Sequence, residues 1–398
     1  MHHILDRKES PQVSLPNKLD SRYSHPYGWE GPLPVRKGCR EQTCPQGQEC
    51  IARSVTGGDS MSVLINPKID ALLEGTSRSF YPTLKYLPKK MRGQVGLLYL
   101  LARIADTIAD SKHGETDFLL QTLRSYNDVA QGTTTSLPDF VELAEIQTNP
   151  AEAELLRGVE DVILSLPTYS QPDQERIRKC LDIIVGGQSL DLERFGIAKD
   201  GGEISALETE IELDDYAYRV AGCVGEFWTE MSLAHLIKMD TGEIDKFQQL
   251  GIRFGKALQM INILRDIPED LRFGRCYIPA DSMSKNGLCA EDLLDSGNMD
   301  KFRQMYDIYI EIASKHMDAA VEYIGMIPYG QFRLRAACML PVLIGQRTLN
   351  LLKDSNVLDS ENRVKVSRNE IKKYSKKMVF ALIIPGGGRR LLERNRNL

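Results

Sequence analysis

The chain has 398 residues, of which 42% are hydrophobic and 26% charged, and its formal net charge is −5. That is enough apolar material for a large buried core, while no basic run interleaved with aromatics offers nucleic acid a groove. No apolar run approaches the roughly 20 residues of a membrane span, and the N-terminus has no apolar signal core.

Residues 1 to 60 are rich in Pro, Gly, Arg, Glu and Gln and show neither a helical nor a strand period, so they are expected to form a disordered extension. Cys39, Cys44 and Cys50 fall within it. A closed zinc site takes four ligands and the nearby His25 sits among turn residues, so a structural zinc is not expected. The other five cysteines, at 180, 223, 276, 289 and 338, are scattered singly among helical or apolar residues, as reduced thiols of a cytoplasmic protein are.

Residues 61 to 398 are expected to form one domain. Apolar periodicity predicts long helices near 89–111, 115–131, 151–165, 172–195, 214–238, 243–271, 298–325 and 332–353, and no alternating β-branched runs interrupt them. The fold class is all-α, with about a dozen helices. Met378 to Pro385, MVFALIIP, is too short to cross a bilayer but long enough to touch one.

Within the first long helix lies YLLARIADTIAD, residues 99–110. Tyr99, Arg103, Asp106 and Asp110 follow at steps of four, three and four and share one helix face, while Leu, Ile and Ala fill the positions between. Two aspartates four apart repel on a helix by roughly 0.2 to 0.5 kcal/mol, so a cation between them is the simplest explanation. The segment GKALQMINILRDIPED repeats the pattern with Gly255, Gln259, Asn262, Asp266 and Asp270, although Pro268 must interrupt or restart the helix.

Alone, an i, i+4 carboxylate pair is more often a solvated face. Two such faces, each inside an otherwise apolar helix, point instead to one cavity lined by oxygen ligands of the kind magnesium shares with a phosphate. Arg103, Arg265, Arg272 and Arg275 flank these faces, and guanidinium groups bind phosphate oxygens. Carboxylates, metal and arginines together describe ionisation of a diphosphate ester, with Phe80, Tyr81, Tyr99, Tyr216, Tyr218 and Phe254 available to shelter a carbocation. His113, His235 and His316 are isolated, and GGQ at Gly186 lacks the strand and helix that a nucleotide loop needs.

The same residues resemble the squalene and phytoene synthases. SRSF at Ser77 to Phe80, Tyr99 with the first aspartate motif, DDYAYRVAGCVGE from Asp214, and LQMINILRDIPEDLRFGRCYIP from Leu258 to Pro279 occur in that family's order, and their wording is most like bacterial-type squalene synthases. The resemblance implies a single large helical bundle of the isoprenoid synthase type around a central cavity. It implies that Asp106, Asp110, Asp266 and Asp270, with Asn262, hold magnesium, and that Tyr216 and Arg103 join those aspartates in catalysis. Gln259, Arg265, Arg275 and Tyr277 match positions that hold diphosphate or order the site. Ser77, Arg78, Phe80, Tyr99, Val220, Gly222 and Gly255 match positions that line the prenyl channels or the first diphosphate site.

The implied reaction joins two farnesyl diphosphates head to head through presqualene diphosphate, which NADPH reduces to squalene. Ala105 before Asp106, where phytoene-type enzymes usually carry a second aspartate, and the arginine of SRSF both favour the squalene branch. Phytoene or dehydrosqualene synthesis, ending by proton loss without hydride, is the alternative; a non-catalytic assembly factor of the same fold is a second, disfavoured by the four aspartates. A monomer is expected, with peripheral contact to a membrane at most and no C-terminal anchor.

Overall fold

The computed structural model describes residues 66–396 except 78–80, 112–114 and 198–200, and all their side chains but those of 81, 82 and 85. The expected disordered extension with its three cysteines, and Arg78 and Phe80, lie outside the described residues. In chain order the helices are α1 (Pro67–Thr76), α2 (Tyr81–Tyr86), α3 (Lys89–Ala109), α4 (Thr116–Gln131), α5 (Val141–Glu145), α6 (Pro150–Arg157), α7 (Val159–Leu164), α8 (Gln171–Phe195) and α9 (Glu210–Ala217). There follow α10 (Cys223–His235), α11 (Thr241–Arg265), α12 (Ile267–Arg272), α13 (Ala280–Lys285), α14 (Met299–Met326), α15 (Phe332–Asp354), α16 (Arg368–Ile383) and α17 (Gly387–Asn395).

Local chemistry sets many of these ends. Asn66 caps α1 by accepting from the Ile69 amide at 2.9 Å, with Pro67 in the first turn where its missing N–H costs nothing. Thr209 with Glu212, and Ser367 with Glu370, form reciprocal capping boxes that start α9 and α16. The expected helix at 151–165 is divided at Gly158, where a Cβ would come within 2.9 Å of Leu72. The expected helix at 243–271 stops at Arg265 and restarts at Ile267, because Pro268 has no N–H to continue the ladder.

The two helices that carry the aspartate motifs are anchored by buried tyrosines. Tyr126 of α4 donates its hydroxyl to the Leu101 carbonyl of α3 at 2.8 Å, and Tyr306 of α14 donates to the Leu264 carbonyl of α11 at 3.0 Å. Both phenols are fully buried, so the hydrogen bonds offset a desolvation penalty that would otherwise oppose the packing.

Between α9 and α10 the helix widens into a π-helical turn over Tyr218–Gly222, a local insertion that rotates α10 relative to α9. Here α10 and α11 pack almost backbone to backbone. A Cβ on Gly225 would lie 1.9 Å from the Gly251 carbonyl oxygen, and one on Gly255 would lie 2.0 Å from that of Ala221. The glycines of VAGCVGE are therefore the condition for close approach of these two helices.

The residues after α12 are held by a short parallel pairing of β1 (Ser205–Ala206) with β2 (Arg275–Cys276). Gly274, at φ +79°, turns the chain into β2 in a conformation that L side chains rarely adopt. This strap fixes Arg275 beside the C-terminal end of α3.

Candidate active site

Four elements converge on a polar cavity of about 290 Å³: the C-terminal end of α3, the second half of α8, the α9–π-turn junction, and α11 with its continuation into β2. Its walls include Asp106 and Asp110 on one side and Gln259, Asn262, Asp266 and Asp270 on the other, completed by Tyr216, Val220, Arg275 and Tyr277. The two stripes expected from spacing thus face one another, and the restart at Pro268 leaves Asp270 on the cavity wall.

The aspartates differ in state. Asp106 accepts from Gln188, and its carboxyl is pushed up to about 7 by burial and by the Asp110 charge. About a third of its side chain is exposed, and it lines the cavity. Asp270 is pushed up to about 8 by burial and by Asp266. Asp266 runs the other way: burial would raise it, but hydrogen bonds and charge from Arg265, at 2.8 and 2.5 Å, and from Arg363, at 2.7 Å, hold it below the usual carboxylate range. Asp110 caps α3 and accepts from Arg275 at 3.1 Å.

Two residues of α8 enter the cavity without having been expected. Gln188 bonds Asp106, and Asp191, 3% exposed, accepts from the Tyr277 hydroxyl at 2.8 Å. The Tyr277 ring stacks on Tyr216 at 4.5 Å, and the other oxygen of Asp191 has no hydrogen-bond partner. Burial pushes Asp191 up to about 6 although Tyr277 and Arg275 pull against it. The sign in the sequence was GGQSLDLERF, where Gln188 and Asp191 stand three apart on an apolar helix, a third polar stripe that the glycines disguised.

Val220 also lines a second, apolar cavity of about 320 Å³, so the two spaces share a wall. Tyr99, Gly255 and Phe254 line this apolar space, joined by Phe227, Trp228 and Tyr323. The Tyr99 hydroxyl donates to the Thr76 carbonyl at 3.1 Å, which keeps the polar end of that ring away from the apolar surface.

Other candidate residues lie away from the two cavities. Ser77 lines neither cavity; it is buried at the end of α1, where its hydroxyl donates to the Leu73 carbonyl. Gly222 lines neither, because its lack of a Cβ serves contact with the Tyr218 ring and α11. Tyr218 turns outward to Glu226 at 2.9 Å. Arg103 and Arg265 do not line the polar cavity in this state: Arg103 pairs with Glu152 of α6, leaving its Nε without a partner, and Arg265 is taken up by Asp266.

The donor set fits a hard divalent cation. It is built of carboxylate and amide oxygens without thiol or imidazole, and at neutral pH it holds protons on carboxyls that a cation would displace. Among the described residues no three His, Cys, Asp or Glu side chains converge on one metal position. Each cation would therefore take few ligands from the protein and the remainder from water or a phosphorylated ligand, as magnesium does.

The family model for squalene/phytoene synthase matches residues 73–370. The chain is 29% identical over 263 residues to a bifunctional lycopene cyclase/phytoene synthase of Phaeosphaeria nodorum, covering 64% of this chain and 41% of that protein. It is 24% identical to a 4,4'-diapophytoene synthase of Staphylococcus haemolyticus (76% and 95% covered) and 26% identical to a squalene synthase of Saccharomyces cerevisiae (71% and 60%). The fold matches that of TcSQS in complex with a ligand, with a TM-score of 0.67 at 20% identity over 83% of this chain and 90% of the other. A dehydrosqualene synthase structure matches with a TM-score of 0.55 at 21% identity, over 79% and 95%. With the model match spanning both aspartate motifs, the chain belongs to the squalene/phytoene synthase family.

Proposed function

We propose that this chain is a magnesium-dependent synthase that joins two prenyl diphosphates head to head, and that it is a squalene synthase acting on farnesyl diphosphate. The observation that carries the reading is the pair of facing aspartate walls directly beside an apolar cavity, with Val220 common to both. When bound, magnesium supplies Lewis-acid stabilisation of the departing diphosphate.

The chain's own residues divide the rest of the work. Asp106, Asp110, Asp270 and Asn262 present oxygens to the cations, and Gln188 orients Asp106. Arg275, kept charged despite burial by Tyr277, Asp110 and Asp191, stands ready for diphosphate oxygens. The apolar cavity keeps water from the prenyl chain, and Phe254 and Tyr99 offer ring faces to positive charge. Tyr216, stacked on Tyr277, lines the polar cavity, and burial keeps its hydroxyl a neutral phenol that can donate a hydrogen bond there.

Ala105 and SRSF support the squalene branch. The strands among the described residues are two residues long, too short to build a βαβ dinucleotide-binding unit. A second reading, supported by the matches to phytoene and diapophytoene synthases, ends in proton loss. Incubation with farnesyl and geranylgeranyl diphosphate, magnesium, and NADPH present or omitted decides between them. Squalene that appears only with NADPH supports the first; dehydrosqualene or phytoene regardless of NADPH supports the second, and no hydrocarbon at all overturns both.

A further inference from the structure

The C-terminal end of α16 leaves large apolar side chains in solvent. Phe380 is 70% exposed, Ile383 71% and Ile384 53%, while the opposite face of the same helix packs Tyr374 and Met378 inward. The turn between α14 and α15 adds Tyr329 and Phe332, 53% and 60% exposed. Tyr329 ties this turn to the tip of α16 by donating its hydroxyl to the carbonyls of Leu382 and Ile383 at 3.0 and 3.1 Å. Apolar side chains far apart in sequence are thereby gathered at one place, which is unusual on a soluble surface.

The chain on either side of this tip is strongly basic. Residues 372–394 carry seven basic residues against one acidic, a net of +6 in a chain whose total is −5. Lys372, Lys373, Lys376 and Lys377 are exposed, and none is in an ion pair among the described residues. Lys373, Lys376, Phe380 and Ile383 follow at steps of three, four and three, so a basic line along α16 runs into the apolar tip. No helix among the described residues is long and apolar enough to cross a membrane.

From the apolar tip and the basic line of α16 that leads into it we infer that this face docks on an anionic lipid bilayer, with Phe380, Ile383 and Phe332 entering the acyl boundary and the lysines of α16 reaching phosphate headgroups. An apolar tip with a run of exposed lysines leading into it matches the two terms of interfacial binding, buried apolar area and attraction to negative lipid. Protein partners of this face would have to offer the same apolar floor and acidic rim; a bilayer offers both without specific shape. The face also lies close to the apolar cavity: Ala337, which lines it, is one turn beyond Arg333, and Arg333 donates to the carbonyl of Tyr86, three residues after the lining Thr83. If the proposed function holds, a water-insoluble product is released next to the lipid that dissolves it; the docking itself does not depend on that reading.

The test is co-sedimentation of the full chain, without substrate, with vesicles of phosphatidylcholine alone or mixed with phosphatidylglycerol, at low and high salt. The wild type is expected to bind the mixed vesicles and to be released as salt rises. F380S/I383S and K372E/K373E/K376E/K377E are each expected to lower the bound fraction by on the order of tenfold or more. Both are expected to keep the wild-type unfolding transition and turnover in detergent. Binding by the variants equal to wild type, or equal binding of wild type to neutral and mixed vesicles, overturns the inference. So does a wild-type dimer in light scattering that F380S/I383S dissolves, since a second copy would then cover the face. Because no substrate is present, a negative result leaves the proposed reaction untouched.

Discussion

Asp106 shows what a single side chain contributes to this site. It accepts from Gln188, faces Asp110 one turn away, and its nearest guanidinium nitrogen, on Arg103, is 3.8 Å distant. Asparagine keeps the size and an acceptor for Gln188 but removes the charge a cation needs. Asp106→Asn is therefore expected to retain its melting temperature within a few degrees while diphosphate release falls by at least about a hundredfold, since the lost metal contact is worth several kcal/mol. Substantial presqualene diphosphate from this variant, measured by chromatography, would remove Asp106 from the role assigned. Asp191 is a positioning residue by its contacts, holding Tyr277 and through it the stacked Tyr216. Asp191→Asn is expected to cost about ten- to a hundredfold in kcat, as losses of such supporting partners do, with KM little changed. An unchanged kcat would refute it. At this scale the sequence showed the aspartate stripes because their spacing is local. It concealed Arg363 and Glu152, which reach Asp266 and Arg103 from 97 and 49 residues away and belong to no pattern of their own.

Helix packing sets the width of the site. The α10–α11 contact depends on glycine, and Gly255→Ala would place a methyl 2.0 Å from the Ala221 carbonyl oxygen, which backbone cannot yield without the helices moving. Overpacking of this kind costs about 1 to 3 kcal/mol or more, visible as a lowered denaturation midpoint. A variant as stable as wild type would show that the seam tolerates separation. On the outer side of the same helix, α14 packs His316 against Arg253, and burial, then the charges of Arg253 and Lys256, lower its imidazole to about 4 while Asp214 opposes them. The fold therefore holds His316 neutral. The unfolded chain takes up a proton below about 6.5, so stability from this group is intact above that pH and is lost as pH falls towards 4. His316→Gln is expected to flatten that part of the acid-stability curve in urea titrations; identical curves would contradict the assignment. Long helices such as α8, α14 and α15 were legible from periodicity to within a residue or two. The π-turn, the β1–β2 strap and α16 were not, because the first two arise from tertiary contact and α16 buries only a narrow stripe beneath its lysines.

For the whole molecule, crowded carboxyls at about 7 and 8 mean that the site without its ligand holds protons at neutral pH. Magnesium with inorganic diphosphate should expel them, seen as a heat of binding that varies with buffer ionisation enthalpy at pH 7. The same ligands should raise the melting temperature, since saturation at a hundred times Kd adds about 2.7 kcal/mol of stability. Chelation should reverse the shift, and a melting temperature indifferent to both would argue against a metal site. The fold was recognisable in the sequence because two polar stripes and the glycine-bearing helix between them are each local; where the cavities meet was not, since Val220 only shares two walls once the chain is folded. The grip of Arg265 and Arg363 on Asp266 then carries a rule of arrival. A cation approaching alone meets Asp266 already neutralised by two guanidinium groups, so it is left with Asp106, Asp110 and Asp270 as its carboxylate ligands. Diphosphate gives the two arginines another anion to hold, and Asp266 is released only in its company. Calorimetry should count fewer magnesium ions without diphosphate than with it; equal counts would mean that the wall of α11 is open from the start.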